Sequence, residues 1–116
     1  KNFSYYLYQI GISYSENIDR AFEAMKEVDL ELRQDARYDA MILEPLEIMG
    51  VDKFTETGVI LQARIKTLPD KSRWIVGREF NRRLKINFNR QKIEFAYEQK
   101  VYKLILSPEI PLISKS

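Results

Sequence analysis

The chain has 116 residues, 45% of them hydrophobic and 31% charged, which fits one globular domain with a real core rather than two. It contains no cysteine and no histidine, so disulfides, thiolate metal sites and the commonest general base and metal ligand are all excluded. Net charge is only +2 but is divided: residues 1–58 carry 6 basic and 12 acidic side chains, residues 59–116 carry 13 and 5.

That division means either an anionic partner for the second half or two halves that face each other, within one subunit or between subunits. The longest aliphatic runs, such as Met41-Ile42-Leu43 and Leu104-Ile105-Leu106, are far too short for a membrane span of roughly 20 apolar residues. No signal peptide is visible, and a first residue of Lys rather than Met leads us to expect a piece of a longer chain.

In chain order, Tyr6, Tyr8, Ile10, Ile12 and Tyr14 alternate with Tyr5, Leu7, Gln9, Gly11 and Ser13, a period-two strand with some apolar surface on each face. Ser15-Glu16-Asn17 supplies capping atoms, and Ile18, Ala21, Phe22, Met25, Val28 and Leu32 then recur at helical spacing. The other side of that helix carries Asp19, Glu23, Lys26, Glu27, Glu31 and Gln34, a solvated and mostly acidic face.

Asp35 to Asp39 reads as a loop, and Pro45 biases Glu44 toward extended geometry. Leu46 to Phe54 reads as a strand with Gly50 at a bulge, followed by a turn before Gly58. Thr57 to Thr67 is the clearest strand: Val59, Leu61, Ala63 and Ile65 share one face, Ile60, Gln62, Arg64 and Lys66 the other. Leu68 to Ser72 breaks it and is expected to cap a second, basic helix running from about Arg73 to Gln91, with Phe80, Leu84 and Phe88 four apart. Ile93, Phe95 and Tyr97 alternate as a last strand, Val101 to Leu106 suit one more short strand, and residues 107–116 read as an irregular tail. The order β-α-β-β-α-β predicts an α+β, ferredoxin-like fold, an antiparallel sheet with two helices on one face, over residues 1–99 with a C-terminal extension at 100–116.

Several functions are weighed on these elements. The helix over 73–92 holds Arg73, Arg78, Arg82, Arg83, Lys85, Arg90 and Lys92 against Glu79 alone, which suits phosphate neutralisation and makes a nucleic-acid-binding module the alternative reading. Against it, the third strand, Thr57 to Ile65, has no aromatic residue where an RNA-recognition sheet stacks bases. Glu44 with Glu47, or Asp35 with Asp39, are the nearest approach to paired carboxylates, and sequence proximity provides neither the separation nor the environment that acid–base catalysis needs. Gly77 stands alone, so there is no phosphate-binding glycine loop. We therefore expect no catalytic residue, cofactor or metal.

A family likeness runs through the same segments. Ile10-Gly11-Ile12-Ser13-Tyr14 with Ile18-Asp19-Arg20-Ala21-Phe22-Glu23, then Ile42-Leu43-Glu44-Pro45 and Leu46 to Val51, then Arg64-Ile65-Lys66-Thr67, then Arg78 to Lys85, and last Ile93 to Gln99, occur in the order and spacing of the cytoplasmic portion of the small-conductance mechanosensitive channel (MscS) family. The chain resembles that family from about Tyr6 to Gln99. It departs from it at Lys92, where the family prefers Gly, and at Ala96 and Glu98, where it has prolines.

The resemblance implies an α/β domain on the cytoplasmic side of a cell-membrane channel, attached through transmembrane segments that this sequence lacks. It implies a homo-oligomer, a heptamer, whose domains form a cage through which ions and small solutes reach a tension-gated pore. The expected interface residues are Tyr5 and Tyr8 on the first strand and Val101, Tyr102, Leu104 and Leu106 beyond the last.

Overall fold

The structure, a computed structural model, describes residues 2–96. Strand β1 (Ser4–Ile12) leads through a turn to helix α1 (Ile18–Arg33). A short 3-10 turn at Asp39–Met41 precedes the hairpin of β2 (Glu47–Phe54) and β3 (Val59–Thr67), and helix α2 (Ser72–Gln91) follows. The strands form one antiparallel sheet in the order β1-β3-β2.

Period-two patterning makes β3 the centre of the fold. Val59, Leu61, Ala63, Ile65 and Thr67 are all buried on one face, and Ile60, Gln62, Arg64 and Lys66 lie on the other. The unbroken register with β1 pairs Tyr6 with Ile65, Tyr8 with Ala63 and Ile12 with Val59, so Tyr6, Tyr8, Ile10 and Ile12 join the buried face. Pairing with β2 shifts between Ile48 and Gly50 and again between Val51 and Lys53, and Gly50 has a φ of 123°, so the expected bulge is present.

Both helices cover this one face. α1 starts where the Asn17 side chain accepts the Arg20 N–H at 3.0 Å, and it buries Ala21, Ala24, Met25, Val28 and Leu32. α2 buries Val76, Gly77, Phe80, Leu84, Asn87 and Phe88. The helices are joined through Asn87, whose amide donates to the Ala24 carbonyl at 3.0 Å, and through the Arg20 guanidinium, which donates to the Gln91 carbonyl. Asn87 is fully buried and polar, and this bond to an otherwise ordinary helical carbonyl satisfies it.

Two expectations are corrected. The Leu68–Ser72 segment breaks the strand but supplies no side-chain cap: Lys71 precedes the helix without such a bond, Asp70 has a φ of 66°, and Ser72 is already helical. The Asp35–Asp39 loop ends in the 3-10 turn, whose Met41 carbonyl accepts from Leu68 N–H at 2.9 Å. The last strand is only a start among the described residues. Phe95 makes an isolated antiparallel bridge to Ile12, with Ser13 N–H donating to Glu94 at 3.0 Å and Ala96 N–H to Gly11 at 2.9 Å. This bridge lies on the edge of β1 away from β3. Residues 97–116, with the expected strand at Val101 to Leu106, are outside the described residues.

α2 ends with Lys92 in the left-handed conformation, φ 60°, its N–H donating to Asn89 at 3.1 Å while Ile93 N–H donates to Phe88 at 2.8 Å. This is the helix stop that glycine fills most easily, and it accounts for the glycine preference at the position in the family that the sequence resembles.

Candidate functional site

With one sheet face covered, the described residues offer two distinctive surfaces, the open sheet face and the outer side of the helix layer. On the open face β1 presents Tyr5, Leu7 and Gln9 beside Ile60, Gln62, Arg64 and Lys66 of β3. Leu7 is 52% exposed. The charged residues there are tied down by aromatic and acidic neighbours. The Arg64 guanidinium lies 4.1 Å over the Tyr5 ring and donates to Glu47 at 2.7 Å. The Lys66 ammonium lies 4.4 Å from the Phe3 ring and 3.2 Å from Glu44. The ring faces hold these two cations in place and the paired carboxylates Glu47 and Glu44 offset their charge.

Of the residues expected at an interface, Tyr5 is on this open face, half-buried under Arg64. Tyr8 is a core residue instead. It is 2% exposed, its ring lies 4.3 Å from that of Phe80, and its hydroxyl donates to the Gly77 carbonyl at 3.4 Å. Burial, with smaller contributions from the nearby Tyr6 and Asp29, pushes its hydroxyl pKa far above the usual tyrosine range. Tyr5 and Tyr8 point to opposite faces because their separation is odd. Val101, Tyr102, Leu104 and Leu106 lie outside the described residues.

The carboxylates considered for catalysis do not converge. Glu44 and Glu47 are each paired to a separate cation, Lys66 and Arg64. Asp35 is held by two guanidiniums, while Asp39 opens the 3-10 turn. Among the described residues no group of three or more acidic side chains is arranged to hold a metal ion, and no helix is long and apolar enough to cross a membrane.

The basic helix is more neutralised than its sequence suggests. Arg83, 15% exposed at its side chain, donates to Asp35 at 2.7 Å and to Glu79 at 2.7 Å. Arg37 also holds Asp35, at 2.9 Å, and Arg82 also holds Glu79, at 2.8 Å. The result is an alternating chain Arg37–Asp35–Arg83–Glu79–Arg82 that ties the end of α1 to α2, with the Tyr38 ring 5.4 Å from Arg37 and 5.5 Å from Arg83. Hydrogen bonds from Arg37 and then Arg83 hold the Asp35 carboxyl well below the usual range. Those from Arg82 and Arg83 hold Glu79 down at about 2. The charge division of the sequence is thus resolved in part within one chain. Sequence reasoning missed this network because Asp35 and Arg83 are 48 residues apart, and the net-charge difference between the halves was the only signal available.

The chain matches the family model described as "Mechanosensitive ion channel MscS, C-terminal" over residues 7–95. No curated protein sequence matches it. The fold is similar to the crystal structure of Helicobacter pylori MscS in its closed state, with a TM-score of 0.68 at 17% identity over 85% of this chain. The chain spans 37% of the length of that one. At that identity the likeness concerns the fold, and the family model carries the assignment. Matched across residues 7–95, from β1 to the Phe95 bridge, the chain belongs to the MscS family of mechanosensitive ion channels and represents its C-terminal domain.

Proposed function

We infer that this chain is the cytoplasmic C-terminal domain of an MscS-type channel, and that its own task is subunit assembly and formation of the vestibule below the pore. The family is one of ion channels rather than enzymes, and its channels are oligomers. In this reading seven copies join into a cage, ions and small solutes pass through it to a tension-gated pore, and the full-length protein sits in the cell membrane. The observation that carries the reading is the family match over residues 7–95, which runs from within β1 through the end of α2. The sheet supports it: one face is closed by helices, and the other exposes Leu7 among restrained charges, a surface suited to a neighbour.

The test is to express the complete reading frame, purify its product from membranes, count its subunits by native mass spectrometry and record currents from reconstituted patches under suction. Seven copies with tension-gated current are expected. A well-folded product that is monomeric, or that passes no current under tension, overturns the reading.

A further inference from the structure

The intrachain pairs leave part of the opposed helix charge uncompensated, and it lies on two stripes. α2 holds six basic residues and one acidic, α1 five acidic and three basic. Trp74, Arg78, Arg82 and Lys85 are exposed along one side of α2 at spacings of three and four. Asp19, Glu23, Glu27 and Leu30 are exposed in the same way along α1. Among the described residues Asp19, Arg78 and Lys85 make no ion pair, Glu23 pairs only with the exposed Lys26, Arg82 pairs only with Glu79, and Glu27 accepts from the Asn87 and Gln91 amides. Each stripe also ends in a large exposed apolar side chain, Leu30 at 46% and Trp74 at 47%.

We propose that the α1 stripe of one copy docks antiparallel on the α2 stripe of the next, with Asp19 against Lys85, Glu23 against Arg82 and Leu30 against Trp74. The spacing supports this register. Asp19 and Leu30 are 11 residues apart, as are Lys85 and Trp74, so both pairs span about 16.5 Å of helix. A parallel docking from Arg78 sets Leu30 against polar Asn89 instead. Where each pair of copies makes one such contact, it joins unlike stripes head-to-tail, the kind of contact that closes into a ring when the rotation permits. The ion pairs choose partner and register, and the apolar pair excludes water beside them. This inference rests on the assembly reading above and names the surfaces that would carry it.

The experiment uses sedimentation equilibrium of the full 116-residue chain, at low and high salt, for wild type, Asp19→Lys, Lys85→Glu and the double variant. Neither residue has an ion-pair partner within the described chain, so folding is expected to survive, as circular dichroism will show. Each single reversal is expected to weaken association about three- to tenfold, and the double reversal to restore it. Because the chain has no cysteine, Leu30→Cys and Trp74→Cys chains mixed and oxidised give a second readout: mixed disulfides in excess of the statistical half. Wild-type assembly that ignores the reversals, with only statistical cross-linking, overturns these surfaces and leaves assembly standing. A monomer at every concentration and salt, without mixed disulfide, overturns these surfaces, while the assembly reading stands or falls on the complete membrane product.

Discussion

Gly77 is where the packing of α2 on β1 is tightest, and replacing it with alanine gives a measurable contradiction between local and tertiary preference. In a helix interior, Gly→Ala adds about 1 kcal/mol of stability. Here the new methyl carbon would lie 2.6 Å from Cδ1 and 2.7 Å from Cζ of Tyr6. Carbon atoms in good contact are about 3.5–4.0 Å apart, so the overlap is about 1 Å along one ring edge. The ring has little room to retreat, since Tyr8 lies 4.6 Å away and Trp74 stands edge-on at 5.8 Å. The helix cannot retreat either without unseating Phe80 and Leu84 from the core. Overpacking of this kind costs about 1–3 kcal/mol, so Gly77→Ala is expected to lose about 1 kcal/mol net. In a Tyr6→Val background the ring is gone and only the helix term remains, so the same substitution is expected to gain about 1 kcal/mol. Urea unfolding of the four chains, followed by far-UV circular dichroism, closes the double-mutant cycle, with a coupling of about 1–3 kcal/mol expected. A coupling below about 0.5 kcal/mol, with alanine stabilising both backgrounds alike, would refute the close approach of Tyr6 to Gly77.

Three further outcomes are expected. Lys92→Gly removes a side chain from a left-handed residue and should raise stability by about 0.5–1 kcal/mol, read as a higher urea midpoint at unchanged slope; a lower midpoint would mean that the lysine is held by a contact worth more than the strain. Arg83→Met breaks two part-buried ion pairs and should cost about 1–3 kcal/mol at neutral pH, more than Arg82→Met, which breaks one exposed pair. Equal losses for the two variants would show that Arg83 does not bridge Asp35 and Glu79. The network also sets an acid limb. Glu79 has a folded pKa of about 2, below its unfolded value, so its contribution is present above about pH 4.5 and is lost as pH falls toward 2. Asp35 acts in the same direction. The stability difference between wild type and Glu79→Gln should therefore shrink across that window, and a difference constant with pH would remove Glu79 from the network.

Much of this molecule was legible because its elements have clean periods. β3 alternates without fault from Val59 to Thr67, and both helices show apolar residues three and four apart, so their place and type follow from residue spacing alone. Gly50 announced the bulge and Asn17 the start of α1, each through backbone or capping chemistry that acts over a few residues. The sequence also carried the family, through motifs dispersed in order over most of the chain. β1 was harder, because apolar side chains occupy both of its faces. Alternation separates Tyr5 from Tyr8, and only the docking of α2 decides that Tyr8 is in the core and Tyr5 outside.

The charge division has the same lesson. Composition showed that an acidic half and a basic half exist, and left open whether they meet within a chain or between chains. The tertiary structure decides part of that: Arg83 reaches Asp35 across 48 residues. What the sequence determined by itself is each element and its buried stripe, because those depend on a period set by nearest turns of backbone. What only the folded chain determined is which stripe meets which, because burial and ion pairing depend on distances between residues that the linear order does not contain.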